Sequence, residues 1–527
     1  MTIEQKQLKA LMYMKGKWNI AGMFFVIMAL VMAMKSNAQK ITYTQPDRNE
    51  NRQTNFEIIG KYGDHYLIFK NYRASNYISV FDASMALVKN ENMPYMPEKI
   101  IEANFVSYPD FSYLFFQYQY KGVVFCKAVK IGPDGKNLTE PIDIDTTIVG
   151  SNTNSKIYQI TPSEDKSRIM VFRINSKNEQ RLLFKTLLFD KDLTLLHSTK
   201  ELSLRMSDRS DFLTDFNLDN DGNLVFGKGI RGGQNENITK FFLHVKWAKA
   251  DSFYVRELAF DRNSLDEVKL KMDNFNNRYL FVAFYYNARR GGTIEGIGNA
   301  IFDKNQKEWV VRNAIPFSDE IREDARGQNS LKNAFQDYFI KDLTIRSDGS
   351  FLVNSESLYQ TSRGNVSPYN RWNMMNPSMM SPMDYYRYGG YGSPWGWGGP
   401  YGPSNTTRYN ADNVMILAFN KEGKLMLSNF VRKAQYDDNN ENMVSYQMVN
   451  TGNGLQYIYN DYDRREVVLT YQTLTPKGQV IRNPTIKGLA RDFNFIPRFS
   501  KQVDKRVVII PCLYRNTLCF AKLEFDE

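Results

Sequence analysis

The sequence predicts an all-β fold, an eight-bladed β-propeller whose ring is closed by the N-terminal strand. Three observations predict it. A strand–turn–strand unit recurs roughly every 55 residues along the 527-residue chain, the length of four short strands with their turns. The turns are of one kind: Phe81-Asp82-Ala83-Ser84, Pro133-Asp134-Gly135-Lys136, Phe189-Asp190-Lys191-Asp192, Phe302-Asp303-Lys304-Asn305, Phe419-Asn420-Lys421-Glu422-Gly423 and Thr475-Pro476-Lys477-Gly478. Aromatic content is 14%, weighted towards Phe (35) and Tyr (32), side chains that suit pleated, half-buried surfaces. Helical character is confined to an N-terminal apolar stretch and to 320–336, which has caps and charges but few apolar residues.

In chain order, residues 1–38 read as an export signal. Lys15 and Lys17 precede an uncharged, mostly apolar run of 15 residues, 20–34, short of the roughly 20 needed to span a bilayer. Ser36-Asn37-Ala38 then offers small residues for cleavage after Ala38. An uncleaved anchor is the competing reading. The expected address is the periplasm or the outer membrane, and no later segment is long and apolar enough to cross a membrane.

The propeller occupies 39–527. Its repeats fall at 56–90, 99–145, 156–204, 212–260, 268–317, 338–434, 444–489 and 493–525. The eighth has room for three strands, the last two forming a hairpin about Arg515-Asn516. Lys40-Ile41-Thr42-Tyr43-Thr44 has no repeat of its own, and an unpaired edge strand is a liability. The economical solution has this strand complete the eighth blade. Seven blades are the alternative, if the weak fourth and fifth repeats merge.

Within a blade the strands a to d alternate in direction. The recurrent polar turns join c to d and are structural. The b–c loops emerge on the opposite face and vary more, so function is expected there. Three of them, Gly229-Ile230-Arg231-Gly232-Gly233, Asn287-Ala288-Arg289-Arg290-Gly291-Gly292 and Asp461-Tyr462-Asp463-Arg464-Arg465, would bring Arg231, Arg289, Arg290 and Arg464 to one face, with Arg73, Arg363 and Arg465. Converging guanidinium groups suit an anionic partner; solvated turn residues are the plainer reading.

One b–c loop is unlike the rest. The sixth repeat is interrupted at 364–411. Residues 367–409 contain no Leu, Ile or Val but three of the six Trp, seven Tyr, five Met, six Pro and seven Gly. Gly and Pro punctuate this stretch too often for a regular strand. Its Trp372, Tyr385, Tyr386, Tyr388, Tyr391, Trp395 and Trp397 are of the types enriched at binding hot spots. A docking or glycan-stacking loop is one reading; a plug or linker is the other.

The formal net charge is +11, of which five Lys and one Glu in 1–38 contribute +4. The remaining +7 over 39–527 forms no basic run, so a nucleic-acid partner is not expected. Three Cys, Cys126, Cys512 and Cys519, make no disulfide framework. A two-residue turn at 515–516 sets Cys512 opposite Cys519, leaving a cross-strand disulfide or two buried thiols open. The three His (His65, His197, His244) lie in or beside strands without partners at ligand spacing. The string Asn217-Leu218-Asp219-Asn220-Asp221-Gly222-Asn223 copies the front of a calcium loop, but Lys228 stands where a bidentate Glu belongs, so it reads as a turn. No HExxH, GxSxG or phosphate-cradling Gly loop occurs. No catalytic residue, metal or cofactor is expected.

The strings Lys341-Asp342-Leu343-Thr344-Ile345-Arg346-Ser347-Asp348-Gly349-Ser350-Phe351-Leu352-Val353, Asp412-Asn413-Val414-Met415-Ile416-Leu417-Ala418-Phe419-Asn420-Lys421-Glu422-Gly423-Lys424 and Tyr457-Ile458-Tyr459-Asn460-Asp461 cover roughly the C-terminal third. In them the chain resembles a group of exported β-propeller proteins of unassigned function from Bacteroidota-type bacteria. The resemblance implies an exported propeller and no particular activity. The expectation is therefore a non-enzymatic envelope interaction protein, binding a protein partner through the b–c face and the insertion. A glycan-binding or glycan-cleaving propeller is the alternative.

Overall fold

Strands make up nearly all of the regular structure. The computed structural model describes residues 39–47, 50, 54–72, 75–149, 157–178, 181–206, 211–214, 216–231, 236–260, 264–287, 292–326, 335–362, 365–368, 407–438, 443–463, 466–486 and 493–525. The expected signal, 1–38, lies outside them. Among the described residues no helix is long and apolar enough to cross a membrane.

The strands form seven antiparallel sheets. Those at 55–92, 102–148, 158–205 and 446–482 are four-stranded meanders. Two more meanders, 212–258 and 264–316, share one nine-stranded sheet through the pairing Ile238↔Leu265. The sheet at 338–438 has six strands. In the last sheet Val507–Tyr514 and Thr517–Glu524 pair as neighbours, and Lys40–Tyr43 adds to the far edge of Thr517–Glu524. The N-terminal strand thus joins the C-terminal sheet, sealed by Thr44 N donating to the Phe520 carbonyl at 2.9 Å. In chain order these are eight consecutive segments, called first to eighth below.

Burial explains the residue pattern. The second strand of a segment is covered on both faces. Arg278–Tyr286 (RYLFVAFYY) is buried at every position after the first. Its alternate residues serve two cores: Tyr279, Phe281 and Ala283 pack towards the fourth segment, Leu280, Val282 and Phe284 towards the sixth. Side chains alternate across a strand, so a strand shared by two cores must be apolar throughout. The fourth strand Glu308–Pro316 instead alternates exposed and half-buried residues. Shared cores of this kind join each segment from first to sixth with the next. Phe56, Ile58 and Tyr66 of the first segment pack on Ile509, Leu518 and Phe520 of the eighth. Asn460 Nδ2 donates to the Phe495 carbonyl at 2.8 Å between seventh and eighth.

The recurrent turns do connect third to fourth strands. Asp82 Oδ1 accepts the Ser84 and Ala86 amides at 2.8 and 2.9 Å. Asp190 and Asn420 repeat the arrangement, and the turn ends on a positive φ at Met85, Gly135, Leu193, Gly423 and Gly478. These turns also clasp the preceding segment. Asn299 and Asn313 of the fifth segment donate to the Gly423 and Glu422 carbonyls, both at 2.9 Å. Asn429 of the sixth donates to Gly478 at 2.9 Å, and Lys522 of the eighth to Ala83 of the first at 2.5 Å.

The calcium-like string is a turn of the other class, between first and second strands. Asp219 Oδ1 accepts the Asp221 and Asn223 amides. Asp219 Oδ2 accepts Tyr279 Oη at 2.8 Å and faces Lys304 Nζ of the fifth segment at 2.8 Å. Burial works against the Lys304 charge, but hydrogen bonds to Asp219 and Asp221 prevail and raise its pKa. The carboxylate is held by protein groups as an inter-segment tie.

Several expectations are refined. The fifth segment begins at Ser264, because a bulge between Asp266 and Lys269 carries polar residues into buried positions. The helical stretch begins at Asp319, capped by Ser318, and spans Asp319–Ala325. Arg515 and Asn516 both have positive φ (48° and 71°), as a two-residue turn matched to the strand twist requires. Cys126, Cys512 and Cys519 are buried free thiols; burial raises Cys512, and Cys519 to about 11.

Gly423 tests the clasp. At φ 72° a Cβ there would stand 2.1 Å from Asn299 Oδ1, whereas Gly452 (φ 84°) has open space. The left-handed conformation costs a side chain about 1–2 kcal/mol, so Gly452→Ala is expected to lose about 1 kcal/mol. Gly423→Ala loses the Asn299 contact as well and is expected to lose about 3 kcal/mol. Urea unfolding of both variants checks this; equal losses would remove the clasp from the account.

Candidate functional site

The sixth segment departs from the others where the insertion leaves it. Its second and third strands, Phe351–Ser362 and Thr407–Phe419, run to 12 and 13 residues. Two short strands flank their far ends. Asn365–Pro368 pairs with Tyr359–Ser362, and Gln435–Asp438 pairs with Arg408–Ala411. Both ends of the 364–411 insertion are therefore strand, and residues 369–406 depart from a four-stranded extension of the sheet.

One edge of that extension carries a stack of three side chains. Arg408 forms a two-pronged ion pair with Asp438, Nε–Oδ1 2.6 Å and Nη2–Oδ2 3.0 Å. Its hydrogen bond holds Asp438 below the usual carboxylate range. The Arg408 guanidinium lies 4.1 Å from the centre of the Tyr436 ring. Tyr436 stacks on Tyr462 of the seventh segment at 4.9 Å and 14°, and Tyr462 Oη donates to the Tyr436 carbonyl at 2.8 Å. A cation and a ring cannot share one face of Tyr436, so the order is Arg408, Tyr436, Tyr462. Such contacts contribute about 0.5–1.5 kcal/mol each. Tyr436 and Tyr462 remain 40% and 38% exposed.

Beneath the stack is a small cleft of about 30 Å³, lined by Gln435, Tyr436, Asn460, Tyr462, Val467 and Asn494, with Met443. One of its lining residues, Gln435, belongs to a buried polar network. Lys433 and Glu356, both fully buried, are paired at 2.7 Å. Lys433 Nζ also donates to the Ala411 carbonyl (2.9 Å) and Gln435 Oε1 (2.7 Å). Ser445 contributes its hydroxyl to Glu356 at 2.5 Å and its amide to Gln435 Oε1 at 3.1 Å. These bonds fix the orientation of the Gln435 amide. Asn460 is fixed likewise, Nδ2 donating to the Met443 and Phe495 carbonyls at 2.9 and 2.8 Å. Each keeps one polar atom without a protein partner, Gln435 Nε2 and Asn460 Oδ1.

Other carboxyls surround this network. Tyr359 Oη donates to Asp412 (3.0 Å), Tyr446 Oη to Asp342 (2.9 Å) and Ser357 Oγ to Asp337. Burial raises Asp412 and Asp342, against the hydrogen bonds from Tyr359 and Tyr446. Among the described residues no group of three His, Cys, Asp or Glu could hold a metal ion. His244 is a core residue, stacked on Phe226 at 5.2 Å and lowered to about 4 by burial. His197 sits between Lys246 and Asp251.

Of the residues singled out from the sequence, the structure describes Arg231. It does not lie in an open loop. It ends the strand Leu224–Arg231 at 4% exposure, its guanidinium 4.7 Å from the Phe212 ring, and burial lowers it to about 10. The Gly-rich string misled because Gly229 is where the strand backbone meets that ring: a Cβ there would be 2.1 Å from Phe212. Arg289, Arg290, Arg464, Trp372, Tyr385, Tyr386, Tyr388, Tyr391, Trp395 and Trp397 lie outside the described residues, as do Arg73, Arg363 and Arg465. Sequence reasoning passed over Arg408, Gln435, Tyr436 and Asp438. The string Gln435-Tyr436-Asp437-Asp438 carries no local signal that could have found them.

No protein-family model matches this chain, and no curated protein does. Among solved structures it is similar to an ulvan lyase described as a new family of polysaccharide lyase, at 10% identity and TM-score 0.37, covering 79% of this chain and 90% of that one. It is similar to prolyl oligopeptidase B from Galerina marginata, at 9% identity and TM-score 0.40, covering 89% of this chain and 56% of that longer one. A dihydro-heme d1 dehydrogenase gives 10% identity and TM-score 0.32, over 90% and 73%. Likeness at this level assigns neither activity nor ligand.

Asp437, between Tyr436 and Asp438, is raised from 3.8 to about 6 by burial and by the neighbouring Asp438 charge, against a hydrogen bond from Met443. The folded chain therefore holds this proton more tightly than the unfolded chain. Ionisation costs stability progressively as pH rises from about 4 to about 6, and the cost is fully present above that window. Asp437→Asn is expected to raise the urea midpoint at pH 8 and to leave it unchanged near pH 4. An equal effect at both pH values would refute the assignment.

Proposed function

We propose that this chain is an exported, eight-bladed β-propeller that serves as a recognition module of the cell envelope. Its recognition surface is the b–c edge of the sixth and seventh blades. The shared cores between successive segments, the first-to-eighth packing and the N-terminal strand on the C-terminal sheet support a ring closed by that strand. Export to the periplasm or outer membrane, with cleavage after Ala38, rests on the sequence of 1–38 and on the resemblance to exported propellers.

The observation that carries the recognition reading is the four-stranded extension of the sixth segment. It is absent from the regular meanders, it roots the insertion, and it holds the Arg408–Tyr436–Tyr462 stack half exposed at its edge. Arg and Tyr are enriched among residues that dominate interface energies. A rigid sheet that presents a long aromatic loop is a common way to build a binding surface.

The test compares the full chain with a variant in which Pro368 is joined to Thr407, removing 369–406 and sparing the strands on either side. Each is used to capture partners from native envelope fractions. A protein retained by the full chain and lost with the deletion is expected. The same set captured by both would overturn the role of the insertion.

A further inference from the structure

The cleft beneath the tyrosine stack has a recognisable chemical signature. Gln435 and Asn460 are 3% and 4% exposed, and both line it. Their amides cannot rotate to satisfy themselves. Gln435 Oε1 is claimed by Lys433 and Ser445, Asn460 Nδ2 by two carbonyls. What remains is one donor, Gln435 Nε2, and one acceptor, Asn460 Oδ1. A buried polar atom left unsatisfied costs about 1–3 kcal/mol, so two at one cleft call for an occupant.

The occupant must both accept and donate. A carboxylate only accepts; an ammonium group only donates. Apart from the tyrosines, no lining residue among the described residues is ionisable. Lys433 is paired with Glu356 and Arg408 with Asp438. Asp437, beside Tyr436, is raised to about 6 by burial. A neutral group that both donates and accepts fits this lining. The space corresponds to about two water molecules, the volume that two adjacent hydroxyls would displace. Over the cleft stand Tyr436 and Tyr462, half exposed, and Asn494 adds a further exposed amide at the rim.

We propose that this cleft binds a neutral carbohydrate, whose adjacent hydroxyls meet Gln435 Nε2 and Asn460 Oδ1 while an apolar face of the sugar ring rests on the tyrosine wall. This rests on the reading of the b–c edge as the recognition surface and names its ligand class. A sugar fits better than a peptide amide, because it supplies two amphoteric groups side by side on a rigid ring that also carries an apolar face.

The experiment titrates the purified full chain with neutral hexose and N-acetylhexosamine disaccharides, reading ligand-observed NMR and calorimetry. A glutamine-containing peptide and inorganic phosphate serve as comparison probes. Saturable binding of at least one disaccharide, little affected by salt, is expected. Tyr462→Ala should weaken it about tenfold. Val467→Trp, which fills the cleft, should abolish it, with thermal unfolding confirming that each variant folds. Binding should survive removal of 369–406, since none of the cleft residues lies there. Partner capture that is unchanged by that deletion while the sugar still binds would sink the loop's role and leave this site standing. No disaccharide binding, binding unchanged in both variants, or capture of the peptide or phosphate instead would overturn the site.

Discussion

The structure depends on one constraint: the central strands of each segment are apolar on both faces, and such a sheet is unstable until both faces are covered. Arg278–Tyr286 is the clearest case, giving its odd-numbered side chains to one neighbour and its even-numbered side chains to the other. No segment can complete its core alone. Burial of a large side chain contributes about 1.5–3 kcal/mol, so the cohesion between neighbours is of the same order as that within a sheet. The consequence reaches the chain ends. A first segment with an uncovered apolar face needs the eighth, and the cluster of Phe56, Ile58, Ile509 and Phe520 supplies that cover.

Polar contacts add register to this cohesion. A bulge in the first strand of the first segment, between Ile58 and Gly60, turns two carbonyls outward, and Lys501 donates to both at 2.8 and 3.0 Å. The bulge at Glu267 offers its carboxylate to the Ile340 amide at 2.8 Å. With the Asn-to-turn clasps, such contacts specify how far one sheet slides along the next, which apolar packing alone leaves loosely defined.

Much of this was legible in the chain, and for physical reasons. Asx turns have a local chemistry, so each turn motif could be placed between strands. A double-faced strand reads as an unbroken apolar run, and a two-residue turn at Arg515-Asn516 fixes its hairpin. The site was less legible because its residues look ordinary. Gln435-Tyr436-Asp437-Asp438 has no apolar alternation; it is a strand because Arg408, some 30 positions earlier, pins Asp438 and covers Tyr436. The unsatisfied state of the Gln435 and Asn460 amides depends on partners in three segments, which no local pattern encodes. Arg231 failed in the opposite direction, since flanking glycines signal a loop and a close approach to an aromatic ring equally well.

The buried network that holds Gln435 is hard to explain as a stabilising device. Glu356 and Lys433 are both withdrawn from water, and such a pair seldom repays its desolvation against a hydrophobic replacement. Its geometric effect is specific, however. Lys433 reaches Glu356, the Ala411 carbonyl and Gln435 Oε1 together, and Ser445 bonds both Glu356 and Gln435. The two contacts to Oε1 fix the orientation of the Gln435 amide and leave its nitrogen unpartnered. An apolar pair in place of Lys433 and Glu356 would leave Gln435 free to turn, at little or no cost in stability. Stability surrendered to hold one donor in one direction is what the proposed recognition site would require.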